Sequence, residues 1–161
     1  MFEFTETITI HRPGSQVWQT LVDIETWWPP SNPEHIDIQV HSAGQPLDVG
    51  TRVDFEERVA GIRATAQGSI TRWEPEREVA WEGDAVYRYY GIPLYVREGV
   101  VWRVESKGQT TDLSANVWAR FTSPLFGRVI EWYATKLLNV VEKDRAHARC
   151  ELEYLKNILD H

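Results

Sequence analysis

Apolar and polar positions alternate along most of this chain, and the period becomes helical in only two stretches. Phe2, Phe4, Ile8 and Ile10 alternate over residues 2–11 and predict a strand, with Glu6 on its otherwise apolar face. Pro13, Gly14 and Ser15 end that strand and open a helix to about Asp23, in which Val17, Trp18, Leu21 and Val22 recur at helical spacing. Trp27 and Trp28 come next, and Pro29, Pro30 and Pro33 read as a loop beside these two aromatics. Alternation returns at Ile36, Ile38 and Val40. Val53, Phe55, Glu57 and Val59 then share one strand face, with Arg52, Asp54, Glu56 and Arg58 on the other.

Gly61 predicts a hairpin into a strand over 62–71, and the turn at 74–77 leads to a strand over 78–83 that holds Trp81. Residues 87–99, with Tyr87, Tyr89, Tyr90 and Tyr95 around Gly91 and Pro93, read as strand ends around a loop. Val100, Trp102 and Val104, then Leu113, Ala115, Val117, Ala119 and Phe121, give the last two strands. Strands joined by such short turns pair antiparallel. From Ser123-Pro124, a capping residue followed by proline at the first helical position, one helix is predicted to about residue 159, with Ile130, Tyr133, Leu137, Val140, Ala148, Leu152 and Leu155 on its apolar stripe. About 37 residues of helix span roughly 55 Å, whereas a domain of this size is about 40 Å across. The helix must therefore bend, break near Gly127 or overhang, and an overhang would suit a homodimer.

The order of elements predicts an α+β fold in one domain over residues 1–161, with about six or seven antiparallel strands curved around a long C-terminal helix. Eight Trp, six Tyr and five Phe are many for 161 residues. Some must fill the core, and the rest suit the wall of a pocket. The net charge of −7, with no basic run, argues against nucleic acid and against an anionic membrane surface. Cys150 is the single cysteine, so no internal disulfide and no cysteine-rich metal site can form. No stretch approaches 18 consecutive apolar residues and no secretory leader opens the chain, so cytoplasm is the expected location.

The chain resembles the START/Bet v 1-like superfamily, specifically its polyketide cyclase/dehydrase-like branch. The residues that carry the likeness are Ile10, Pro13, Val17, Trp18, Leu21, Asp23 and Trp27, then Val49-Gly50-Thr51. Ile70, Glu74-Pro75 and Val79-Ala80-Trp81 match the central hairpin, and Glu151-Leu152, Leu155 and Lys156 the closing helix. This likeness spans essentially the whole chain. It implies a helix-grip fold with a deep apolar cavity between sheet and helix. Members bind lipids, isoprenoid quinones, plant hormones or polyketides, and a minority cyclise or dehydrate polyketides. The branch has no shared catalytic signature, so no catalytic residue follows from the resemblance.

The candidate ligand-binding residues are Trp27, Trp28, Phe55, Glu57, Trp81, Tyr87, Tyr89, Trp102, Trp132 and Tyr133. Each aromatic is a core residue first and a cavity wall second, whereas Trp27 and Trp28 are placed for a lid and the tyrosines for a rim. Glu57 is the one candidate catalytic residue, because a carboxyl on an apolar face must be paired, protonated or used. Glu6 invites the same argument, and Arg88 among the tyrosines could hold an anionic group. His11, His35, His41, His147 and His161 show no ligand-like spacing, so no metal site and no cofactor is predicted. Asp144 is expected to mark the point where the long helix leaves the core.

Three functions fit these features. The first is binding of a small hydrophobic ligand (lipid, isoprenoid or polyketide-like) in the cavity. The second is cyclisation or dehydration of a polyketide-like substrate, with Glu57 and a tyrosine moving protons. The third is an interaction module that presents the long helix or the Trp27–Trp28 pair to a protein partner.

Overall fold

The structure is a computed structural model that describes residues 1–59, 61–122 and 139–161. Seven strands run β1 (Phe2–Ile10), β2 (His35–His41), β3 (Arg52–Val59), β4 (Ile62–Glu74), β5 (Glu78–Tyr89), β6 (Ile92–Lys107) and β7 (Thr110–Phe121). Helices α1 (Gly14–Val22) and α2 (Ile24–Ser31) fall between β1 and β2, and α3 (Val140–Asp160) closes the described chain. The strands form one antiparallel sheet in the order β1-β7-β6-β5-β4-β3-β2. Chain neighbours pair directly from β2 through β7, as short turns require, and the two helices carry the chain from β1 to the opposite edge. This is the α+β helix-grip arrangement that the sequence predicts.

The inner face of the sheet carries the alternating residues. Phe4 and Ile10 on β1, Val53 and Glu57 on β3, Trp81 and Ala85 on β5, Val96 and Trp102 on β6, and Leu113 and Ala115 on β7 are all buried. Helix α3 lies across that face, packed on β1, β3, β7 and α2, with Ala148, Leu152 and Leu155 buried beneath it. Three polar contacts fix it along β1: Arg149 to Glu6 at 2.8 Å, Lys156 Nζ to the Thr9 carbonyl at 2.6 Å, and Asp160 to the His11 backbone N–H at 2.8 Å. Glu6 thus faces inward as the alternation says, but its partners are Arg145 and Arg149 of α3 rather than a ligand.

Four features differ from the sequence reading. Trp27, Trp28, Pro29 and Pro30 lie in helix α2 rather than in a loop. Both prolines sit in its final turn, where the helix ends at Ser31, so their missing N–H groups shorten the helix instead of kinking it. Residues 87–99 form a tight hairpin, with Tyr90 (φ 48°) and Gly91 (φ 82°) making the turn between β5 and β6. Ile36 is exposed: His35 pairs with Glu57 and Asp37 with Glu56, so Ile36 is the extra residue of a β-bulge. Finally, Asn139 adopts a left-handed conformation (φ 51°, ψ 38°) at the start of α3, so the regular path of that helix does not run back through it. The predicted helix start at Ser123 and the predicted break near Gly127 lie outside the described residues.

Two glycines make room for the largest inward side chain. Gly68 on β4 faces Gly83 on β5 in register, and the Trp81 indole lies over both, its ring 2.5 Å from where a Cβ would stand at either. Its N–H reaches the Val53 carbonyl at 3.0 Å on the next strand but one. Gly83→Ala should therefore cost about 1–3 kcal/mol by overpacking. Denaturant unfolding would read the loss, and near-UV circular dichroism should show the Trp81 environment disturbed while strand content holds.

Candidate functional site

Residues from β3, β5, β6 and β7, together with Trp28 of α2 and about two turns of α3, leave a hollow between sheet and helix. Trp28, Phe55 and Trp81 form its aromatic wall, and Glu57, Tyr87, Glu98, Asp144, His147 and Glu151 bring polar groups to it. The hollow measures ≈ 540 Å³ counted out to its solvent-open mouth, yet only ≈ 70 Å³ is wide enough for a molecule the size of water. The aromatic wall is built on edge-on and tilted ring contacts. Trp28 meets Phe55 at 5.4 Å and Trp102 at 5.3 Å between ring centres, and Phe55 meets Trp81 at 4.8 Å.

Below that wall, β2, β3 and α3 bring two histidines and two carboxylates together. His147 and Glu151 stand four residues apart on one face of α3. His35 enters from β2 because the bulge at Ile36 reverses the facing of the strand there. Glu57 is its register partner on β3. His35 Nε2 lies 3.1 Å from His147 Nε2, 3.0 Å from Glu151 Oε1 and 3.8 Å from Glu57 Oε2. His147 Nε2 lies 3.4 Å from each of the same two carboxylates. The Trp28 indole N–H donates to Glu151 Oε1 at 2.8 Å.

The far side of each imidazole is also engaged. His35 Nδ1 is 2.8 Å from the Trp28 carbonyl oxygen, which can only accept, so this nitrogen carries the hydrogen. That carbonyl is available because α2 stops at Ser31, whose hydroxyl is its other donor at 2.7 Å. His147 Nδ1 is 3.2 Å from the Glu34 carboxylate. Both rings therefore turn Nε2 toward the cluster.

Burial sets the electrostatics. It pushes the Glu57 carboxyl above the usual carboxylate range, against the pull of His147 and His35. Glu98 rises to about 8 through burial and the charge of Glu57, although its hydrogen bond from the Tyr87 hydroxyl at 2.8 Å opposes the shift. Asp144 rises to about 7 from burial and then the charge of Glu57. Burial also lifts Tyr87 well above its ordinary value, with Glu98 adding to it. Burial opposes the charge on His147, but hydrogen bonding and attraction from Glu151, with Glu57 and Glu34 behind it, hold the imidazolium well above the usual histidine range. Glu151, despite burial, is held low by its hydrogen bonds from His147 and His35. The hollow thus sets carboxyls raised by burial beside one carboxylate held low, an arrangement able to donate and accept protons across a bound molecule.

Of the predicted site residues, Trp28, Phe55, Glu57, Trp81 and Tyr87 line this hollow. Trp27 and Trp102 do not. Both are 1% exposed and pack edge to face behind Trp28, with Trp27 bonded to the Leu21 carbonyl at 2.8 Å. Burial of Trp27 and Trp28 removes the lid and the protein-docking role considered for the pair. Tyr89 ends β5, and Trp132 and Tyr133 lie outside the described residues. Asp144 lines the hollow rather than marking an exit from the core.

The expectation that no histidine stands in a ligand-like arrangement is corrected. His35, His147 and Glu151 offer ligand atoms within 4.8 Å of one another. The spacing of His147 and Glu151 is readable, but their partner lies 112 residues away behind a bulge. Glu98 lies on β6, within the tyrosine-rich stretch whose pattern suggests a loop and so hides it.

The family model described as polyketide cyclase/dehydrase and lipid transport matches residues 1–156. Among solved structures, the Zhui aromatase/cyclase from Streptomyces sp. R1128 is 17% identical, with a TM-score of 0.69 over 99% of this chain and 93% of that one. The protein TTHA0849 from Thermus thermophilus is also 17% identical, with a TM-score of 0.65 over 97% and 95% of the two chains. A START superfamily protein from Mycobacterium smegmatis is 11% identical, with a TM-score of 0.59 over 98% and 97%. At these identities the likeness shows the fold. No curated protein matches the chain, and no helix among the described residues is long and apolar enough to cross a membrane.

The raised acids fix a pH dependence. Glu57, Glu98, Asp144 and His147 all hold protons more tightly folded than unfolded, so the stability they contribute is present at low pH and lost as pH rises through their folded values. Glu151 has the opposite sign, and its contribution is lost only as pH falls below the ordinary carboxylate range. The melting temperature should peak near pH 5 and fall steadily to pH 9. Glu98→Gln, which keeps an acceptor for Tyr87, should flatten the fall between about pH 5 and 8, the interval between the ordinary and the folded value of this carboxyl. An unchanged slope in that variant would remove Glu98 from this account.

Proposed function

Because the chain belongs to the polyketide cyclase/dehydrase and lipid transport family, we propose that it binds a small hydrophobic molecule with a flat ring body and a hydrogen-bonding edge in the hollow between sheet and α3. The observation that carries this reading is the lining itself: three aromatic rings on one side, and Glu57, Tyr87, Glu98 and Asp144 within the same space. A plain alkyl chain would meet those polar groups with nothing to match their remaining donors and acceptors. A phenol, quinone or polyketide-like ring system would meet them with hydroxyl and carbonyl groups. The narrowness of the space favours a flat ligand over a bulky one.

A second reading, cyclisation or dehydration of such a molecule, is favoured by one geometric fact. Glu57 faces the hollow with His147 Nε2 3.4 Å away, and the Tyr87–Glu98 pair lines the same space. A protonated Glu57 would then supply a proton to a leaving hydroxyl while a neighbouring group removes one from carbon. The aromatase/cyclase with the similar fold lends this reading support by analogy only.

Tryptophan-fluorescence titration with a planar phenol such as 2-naphthol, beside lauric acid as the alkyl control, tests the binding proposal. Saturable quenching by the phenol, weakened about tenfold in Tyr87→Phe, is expected. Equal binding of lauric acid, or no saturable binding of either, would overturn the ligand class. If an aromatic substrate is turned over, Glu57→Gln should remove most of kcat with little change in KM. Full activity in that variant would leave only the carrier reading.

A further inference from the structure

We propose that His35 Nε2, His147 Nε2 and Glu151 Oε1 form a three-ligand binding site for a divalent transition-metal ion with the preferences of zinc, with Glu57 Oε2 standing beside the two imidazoles. The inference does not rest on the small-molecule reading, since the chain supplies these ligands itself.

The spacing of the donor atoms is the first argument. In a tetrahedral site with metal–ligand bonds of about 2.0–2.1 Å, neighbouring donors lie about 3.3–3.4 Å apart. The five distances from the two Nε2 atoms to each other and to the two carboxylate oxygens are 3.1, 3.0, 3.8, 3.4 and 3.4 Å. They bracket that edge length. The donor atoms of His35, His147 and Glu151, 3.0–3.4 Å apart, surround a centre that each could reach with little movement, and Glu57 Oε2 lies to the side of the two imidazoles.

The second argument is the orientation of the rings. A metal-binding histidine typically donates its other N–H to a carbonyl or carboxylate, which fixes the tautomer and the ring plane. His35 does so to the Trp28 carbonyl and His147 to Glu34. With hydrogens on both Nδ1 atoms, each neutral ring presents a bare lone pair at Nε2. Two such lone pairs and a carboxylate oxygen then converge within 3.4 Å. Such a group repels itself unless a cation, either added protons or a metal ion, lies among them. The Trp28 N–H holds Glu151 Oε1 from outside the cluster in the same way.

Burial is the third. The side chains of His35, His147, Glu151 and Glu57 are 3%, 8%, 9% and 11% exposed, and they come from three separate elements, β2, β3 and α3. A site fixed on that many elements is preformed by the fold, so its ligands need not be gathered at the moment of binding. Two imidazoles with carboxylates suit zinc, cobalt or iron(II), whereas calcium and magnesium prefer oxygen donors alone. His147, Glu151 and Glu57 also line the hollow, so the ion would form part of its wall.

Tag-free protein, stripped with EDTA and dialysed, should be titrated with zinc by calorimetry and with cobalt(II) by visible absorption. One ion per chain is expected, with the intense d–d bands of a four-coordinate site. His147→Gln should weaken zinc binding about 100-fold or more. Glu34→Gln, which alters only the outer partner on a part-exposed side chain, should weaken it about 10–100-fold. Lack of saturable uptake by the folded wild-type chain would overturn the proposal. So would an affinity unchanged in folded His147→Gln and Glu34→Gln, because the ion would then sit elsewhere, for example at His161. Should His147→Gln fail to fold, the wild-type titration and Glu34→Gln still decide the matter.

Discussion

One buried oxygen, Glu151 Oε1, holds together the parts of this fold that do not belong to the sheet. It accepts the Trp28 indole N–H from α2 and stands 3.0 Å from His35 on β2 and 3.4 Å from His147 on its own helix. A carboxylate in such a place is costly unless each lone pair is used, so its cost becomes specificity: α3 can settle only where these donors meet it. The apolar contacts of Leu152 and Leu155 supply burial, but hydrophobic attraction has no direction. The contacts of Arg149, Lys156 and Asp160 hold the helix along β1, and the Glu151 network holds its opposite side to α2 and β2.

The termination of α2 feeds the same network. Two consecutive prolines end the helix after Ser31, and the Trp28 carbonyl is therefore left for the Ser31 hydroxyl and His35 Nδ1. A backbone constraint written plainly in the sequence thus orients an imidazole seven residues later. The aromatic wall shows a comparable division of labour. Trp27 and Trp102 are supports, and Trp28, Phe55 and Trp81 face the hollow.

The sheet was legible because its period is two and its turns are short. Alternation places Phe55, Glu57 and Trp81 on apolar strand faces, and all three line the hollow, whereas Tyr87, read as part of a rim around a loop, lines it from β5. The same rule failed at β2. Ile36, Ile38 and Val40 alternate faultlessly, yet the bulge turns Ile36 out and His35 in. A single inserted residue is invisible to a pattern of apolar spacing. Glu151 and His147 lie among apolar residues on the helical stripe, where a polar residue reads as an edge of the stripe until its partner is known. Their partner belongs to a strand at the far margin of the sheet, and no local pattern reports a pairing over 112 residues. Asp144 reads as a point of exit from the core for the same reason.

Strand β2 has only one neighbour in the sheet, β3, and so presents an edge. Edge strands fray first, and their unpaired backbone groups can recruit strands from other molecules. Here the first residue of that edge is pinned from inside by its own side chain, through His35 to α2 and α3. The cluster is therefore also a latch on one of the two margins of the sheet. Whatever occupies it, proton or ion, sets how readily that margin peels away, and so couples the chemistry of the interior to the colloidal behaviour of the surface.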